Sequence, residues 1–272
     1  MEPPKIMGIV NVTPDSFSDG GEFLDPERAI AHGHELAKEG ADILDVGGES
    51  TRPGAAAVDV EEELRRVEPV VQALSSAGFP VSIDTSKVAV AEVALDAGAA
   101  MVNDVTALRA EPDLAALCAA RDCEVVLMHM LGDPRTMQEN PSYDDVVDDV
   151  KAFLAERIEF ATSAGIDEDR IWIDPGIGFG KTVEHNLELH RRLGELGDLG
   201  RPIAFGSSRK SFIGKLTGAP VDERLGGSIA SNVIAYSNGA RMLRVHDVGP
   251  MRQALTIAEA ILDPDRSASI FR

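Results

Sequence analysis

Positively charged side chains are scarce in this 272-residue chain: 26 Lys and Arg face 46 Asp and Glu, a formal charge of −20. Such a surface repels free nucleic acid and anionic membranes, so neither is expected as a partner. An anionic small substrate needs only a local cluster of basic groups. Cysteine is nearly absent. Cys118 and Cys123 sit close together in DLAALCAARDCEVVL with no second Cys/His pair at zinc spacing. That argues against a structural zinc site and for two reduced thiols in a cytoplasmic protein. No apolar run approaches the ~20 residues of a membrane-spanning helix. The opening MEPPKIMGIVN also lacks the basic n-region and apolar core of a signal peptide. Low-complexity linkers are missing as well, so one domain is expected across 1–272, with a core of about residues 5–263 and a frayed tail at 264–272.

What the chain does have is a recurring pattern. Short apolar runs end in polar residues that a buried strand has no reason to carry. They are KIMGIVN at Asn11, ADILDVGGEST to Thr51, PVSIDTSK around Asp84 and AMVND at Asn103. VVLMH at His129, RIWIDPG at Asp174, PIAFGSSRK at Lys210 and RMLRVH at Arg244 and His246 continue the series. Helical sequence follows each run. Eight such units predict an α/β fold, a (β/α)8 TIM barrel with its active site at the C-terminal ends of the strands. The runs are almost uniformly apolar, as parallel strands covered by helices require. Helix starts are legible at Asp25-Pro26, at the capping pair Asp59 and Glu62, and at Ser142 before SYDDVVDDVKAFLAERIEFATSAG. Leu64, Val67, Val71 and Leu74 mark the apolar face of one helix, and Gly40, Gly78, Gly98, Gly165 and Gly239 the returns to the next strand. The long polar stretches 13–22 and 51–58, after the first two strands, read as lids.

Strand alternation puts Ser82 and Asp84 on one face and Val81 and Ile83 on the other. Asp174 ends its run in the same way. A strand-end carboxylate either caps its loop or accepts N–H groups from a nitrogen-rich heterocycle; two of them with Asn103 on one rim favour ligand recognition. Arg244 alone would read as an ion-pair partner and His246 as a packed rim histidine. Two apart, however, they point the same way on an extended strand. With Lys210, Ser207 and Ser208 they suggest a receptacle for a phosphate or carboxylate. Gly176-Ile-Gly-Phe-Gly-Lys-Thr182 imitates a P-loop, but only three residues separate Gly176 from Gly180-Lys181 where four are needed. Nucleoside triphosphate binding is therefore rejected; the glycines let the backbone approach a flat ligand, with Phe179 to stack on it. The acid pairs Asp144-Asp145 and Asp148-Asp149, and the run Glu61-Glu62-Glu63, read as solvated helix starts rather than metal ligands.

Together these motifs resemble the dihydropteroate synthase family. MGIVNVTPDSFSDGG at 7–21, DVGGESTRPGA, SIDTSK, LMHMLGDPRTMQ, DPGIGFGKT, GSSRKSFIG and RVHDV at 244–248 follow the family's order over nearly the whole chain. The resemblance implies the same barrel and a reaction of folate biosynthesis. In that reaction 6-hydroxymethyl-7,8-dihydropterin diphosphate condenses with 4-aminobenzoate to give 7,8-dihydropteroate and diphosphate. It further implies that Asp84, Asn103, Asp174 and Lys210 hold the pterin between Met128 and Phe179, and that Arg244 and His246 bind diphosphate. Asn11 is implied as the contact of a Mg2+ ion. Thr51, Arg52 and Pro53 of the second loop, Phe17 of the first and Ser211 are implied to shape the aminobenzoate site. Catalysis is expected to rest on Lys210, Arg244, His246, Asp84 and Arg52.

The family also implies a homodimer through the last helices, with which the small-residue stretch GGSIASNVIAYSNGA is compatible. Two departures stand out. DVTALRAEPDL after Asn103 is poorer in glycine than the usual version, and the chain enters its first strand without a leading hairpin, which leaves the barrel bottom less covered. No Phe-Gly insertion near Pro53 marks the sulfonamide-insensitive type, so sensitivity is expected. A pterin-binding methyltransferase barrel is the enzymatic rival, but it has no use for a diphosphate clamp such as Arg244-x-His246. A degenerate pterin-binding homologue is the other, and retention of Asn11, Arg52, Lys210, Arg244 and His246 argues against it.

Overall fold

The computed structural model describes residues 3–13, 26–51, 55–133 and 136–262. Eight strands close into a barrel in chain order, each parallel to its neighbours. They are β1 (Lys5–Asn11), β2 (Ile43–Gly47), β3 (Val81–Asp84), β4 (Met101–Asp104), β5 (Glu124–Met128), β6 (Ile171–Asp174), β7 (Ile203–Phe205) and β8 (Ala240–Val245). Around them lie α1 (Pro26–Lys38), α2 (Val60–Ser76), α3 (Val88–Asp96), α4 (Asp113–Arg121) and α5 (Val146–Ser163). α6 (Val183–Arg191), α7 (Ser211–Thr217), α8 (Leu225–Ser237) and α9 (Val248–Leu262) complete the ring. Among the described residues no helix is long and apolar enough to cross a membrane, and both cysteines are buried free thiols.

Alternation along the strands sorts the core into two parts. Outward residues such as Val10, Val46, Ile83, Val102, Leu127 and Ile173 merge with the apolar helix faces into one large cluster. Inward residues Met7, Ile43, Met101, Val126, Trp172, Ala204 and Met242 form a separate plug inside the barrel. Two residues further along the same strands the inward side turns polar: Asp45 follows Ile43, Asn103 follows Met101, Asp174 follows Trp172 and Arg244 follows Met242. The plug is apolar, and the layer above it is polar and charged. At the entry ends of the strands, Trp172 Nε1 donates to Glu124 at 2.5 Å and Lys5 Nζ stands 5.1 Å from the indole centroid, which adds polar cover to the floor.

The barrel has one register irregularity. Ile203 pairs with Ala240, but Ala204 pairs with Met242, so Arg241 is an extra residue in β8. Ala240 accordingly joins the outer cluster and Met242 the inner plug.

The helix expectations need some correction. Asp59 does accept from Glu62 N at 2.8 Å, but the Glu62 side chain turns to Arg65 and Arg66 instead of completing a box. α5 starts at Val146 rather than Ser142, because the Asp145 carboxylate accepts from the Val147 and Asp148 amides and fixes the cap there. Glu63 is not solvated. It lies on the same stripe as Val67, Val70 and Leu74 and is 1% exposed, held by an ion pair to Lys87. α1 begins at Pro26, and Asp25 lies outside the described residues, as do 264–272. The small residues of α8 pack within the chain: Ser228, Ser231, Asn232 and Ala235 are buried, and a Cβ on Gly227 would lie 2.4 Å from Ile213. All five return glycines take positive φ, from 86° at Gly78 to 113° at Gly239.

Candidate active site

Arg244 is the hub of the polar layer. Its Nε donates to Asp45 Oδ2 at 2.6 Å and its Nη2 to Asp84 Oδ2 at 2.7 Å. Asn103 Nδ2 donates to the same Asp45 oxygen at 3.1 Å. Residues of β2, β3, β4 and β8 are thereby linked through one guanidinium that serves two carboxylates. Burial pushes the Asp84 carboxyl up to about 7; Arg244 pulls it back, and the neighbouring Asp45 pushes it up again. Burial opposes the charge on Arg244, but Asp45 and Asp84 outweigh that effect and raise its pKa.

The second half of the site comes from the loops after β6 and β7. Asp174 Oδ1 accepts from Gly176 N at 2.7 Å, and burial raises its carboxyl against the pull of Lys210. Lys210, at the cap of α7, donates from Nζ to the Ile177 carbonyl and lies 4.7 Å from the Phe179 ring centroid. Burial lowers its ammonium to about 8. Gly176 must be glycine: its φ is 67°, and a Cβ there would sit 1.9 Å from the His129 carbonyl oxygen. Met128, Met130 and Met137, with Phe179 against them, form a small apolar wall. His246 faces Ser208, whose Oγ lies 3.0 Å from Nδ1 and accepts from the His246 amide at 3.2 Å. Ser207, expected beside it as a donor, is instead fully buried and accepts from Ser231 Oγ at 2.7 Å.

Asn11 ends β1 opposite Gly47. Thr51 lines a cavity of about 320 Å³ together with Glu49, Glu63, Asp84 and Thr85. Ser211 is exposed as the first residue of α7. Phe17, Arg52 and Pro53 lie outside the described residues.

Residues 7–246 match the family described as pterin binding enzyme. A dihydropteroate synthase of Neisseria meningitidis serogroup B is 48% identical over 267 residues, 96% of this chain and 94% of that protein. The solved structure of Xanthomonas albilineans dihydropteroate synthase with 4-aminobenzoic acid is 51% identical. It superposes with a TM-score of 0.90 over 96% of this chain and 94% of the other. The Yersinia pestis dihydropteroate synthase in a sulfonamide drug complex, at 45% identity, gives 0.91 over 95% and 94%.

The chain belongs to the dihydropteroate synthase family.

As a dihydropteroate synthase it is a folate-pathway enzyme, and its pterin-binding barrel carries two features that the motifs did not single out. Asp45, fully buried in the middle of ILDVG, is the acid that Arg244 and Asn103 share. An acid inside an apolar strand is costly unless partnered, and that was the available signal. Lys181, the lysine of the P-loop imitation, turns under its own loop. It is 3% exposed, with Nζ 2.8 Å from His129 Nδ1 and 3.0 Å from the Phe179 carbonyl. Burial, with Lys210 nearby, drives the Lys181 ammonium well below its usual value. Burial, with Lys181 alongside, lowers His129 to about 2. In this dihydropteroate synthase the pair braces the loop that presents Phe179.

Proposed function

We propose that this dihydropteroate synthase grips the pterin ring with Asp84, Asn103, Asp174 and Lys210, between Met128 and Phe179, and turns the diphosphate towards Arg244 and His246. The observation that supports this reading is the direct bond between Arg244 and Asp84, a guanidinium and a carboxylate in one mouth. Carboxylates on the ring N–H groups stabilise positive charge as the methylene C–O bond breaks, and cations receive the departing diphosphate. The electron pair leaves with diphosphate oxygen. The amine nitrogen of 4-aminobenzoate then bonds to the methylene carbon and releases its proton to solvent. A neutral aromatic amine needs positioning more than a base, so no general base is assigned. Thr51, with Arg52, Pro53, Phe17 and Ser211, takes the aminobenzoate, and a sulfonamide is expected to compete there.

Among the described residues no group of three His, Cys, Asp or Glu side chains forms a cation site. Asn11 offers a single neutral oxygen. That donor set fits Mg2+ carried mainly by substrate phosphates and water, and the ion's contribution is to neutralise the leaving group. The exposed Ile234 of α8 and Ile257 and Ile261 of α9 support a homodimer through these helices. The chain works as one domain in the cytoplasm, with its thiols reduced.

Purified protein with Mg2+ is expected to release diphosphate only when both the pterin diphosphate and 4-aminobenzoate are present. Equal release without the amine would make it a hydrolase and overturn the reading.

A further inference from the structure

Beside the mouth lies a second charge cluster that the reaction does not use. Lys87, which follows β3 and caps α3, donates from Nζ to Glu49 Oε2 at 2.5 Å, to the Val58 carbonyl at 2.7 Å and to Glu63 Oε2. An ammonium has three protons, and all three are engaged. Glu49 lies two residues past β2 and Val58 two residues before α2. Both ends of the 48–59 connection therefore meet on one nitrogen. The anchor under them is Glu63, buried on α2, which also accepts from Thr85 Oγ1 at 2.8 Å. Thr85 adjoins Asp84, and its Oγ1 accepts from Lys87 N at 3.3 Å. Glu49, Thr51, Glu63, Asp84 and Thr85 line a single cavity of about 320 Å³.

An exposed lysine–glutamate pair would contribute little. This one ends on a buried carboxylate and joins two segments that are distant along the chain, so it constrains geometry. Although burial opposes the charge on Lys87, Glu49 and Glu63 outweigh it and keep the ammonium protonated.

We propose that Lys87 is a positioning residue: by tying Glu49 and Val58 to Glu63 it sets Thr51 beside Asp84 and thereby the affinity for the aromatic amine. This rests on the reading of the second loop, through Thr51, as a wall of the aminobenzoate site.

The test uses full-length Lys87→Met and Glu49→Gln. Lys87→Met is expected to raise KM for 4-aminobenzoate roughly tenfold, and Glu49→Gln several-fold. In both, kcat at saturating amine and the calorimetric Kd for pterin diphosphate should stay within about twofold of wild type. A purely structural role would move all three constants together, and that pattern, or an unchanged KM in both variants, overturns the proposal. Lys87→Met strips Glu63 of its cation and risks misfolding; Glu49→Gln keeps the Lys87–Glu63 pair and remains a folded probe. Wild-type protein that fails to consume 4-aminobenzoate would overturn the functional reading beneath. Wild type that consumes it beside two unmoved variants would overturn the tether alone.

Discussion

Arg244 and Asp84 stand 160 positions apart in the chain and are joined by a 2.7 Å hydrogen bond from Nη2 to Oδ2. The same guanidinium holds Asp45, so a pterin that engages Asp84 leaves Arg244 with a second buried partner. Asp84→Asn is expected to weaken pterin binding by ~1.5–3 kcal/mol, the range for a hydrogen bond to a charged group. Isothermal calorimetry measures this directly, and an unchanged Kd would remove Asp84 from the pocket.

The pH profile should be a narrow bell. On the proposed reading pterin capture needs ionised Asp84, whose carboxyl is pushed up to about 7, and a cationic Lys210, whose ammonium is lowered to about 8. The kcat/KM for the pterin substrate therefore rises through the first value and falls past the second. Stability runs the other way on the acid limb. Between the ordinary carboxylate range and about 7 the folded chain keeps a proton on Asp84 that the unfolded chain releases, so the fold loses stability as pH rises through that window. The melting temperature of the unliganded wild type should fall relative to Asp84→Asn over the same interval. A difference that does not vary with pH would contradict the raised pKa.

Gly176→Ala should destabilise the fold by about 2 kcal/mol or more, since the site combines left-handed φ with a backbone oxygen where the methyl would go. Thermal denaturation measures it, and a melting temperature equal to wild type would mean that the loop after β6 shifts at no cost.

Ile257→Glu is expected to convert a dimer to a monomer in light scattering while changing monomer stability by less than about 0.5 kcal/mol, because the side chain is exposed on α9. A wild type that is already monomeric would refute the proposed pairing.

The barrel was legible because its strands are short, apolar and closed by polar residues, and Asn11, Asp84, Asn103, Asp174, Arg244 and His246 all lie within one residue of those ends. What escaped notice shares one cause: charge inside an apolar setting is visible only when its partner is. Asp45 needed Arg244, nearly the whole chain away, and Lys181 needed His129. Glu63 was masked by Glu61 and Glu62, although its spacing to Val67 and Leu74 places it on the buried stripe. The less glycine-rich stretch after Asn103 has a local explanation. Ala107 and Leu108 take φ of 53° and 63°, and Asp104 holds the turn by accepting from the Thr106 and Leu108 amides.

The bulge at Arg241 fixes which side of β8 faces the lumen. Were Arg241 instead paired in the ladder opposite Ala204, strand parity would exchange the two sides: Leu243 and Val245 would look into the lumen, and Arg244 and His246 would be driven among the helices. Deleting this one arginine, near the start of the last strand, should therefore leave a regular ladder, with Ala240 outward, Met242 inward and Arg244 still facing the lumen.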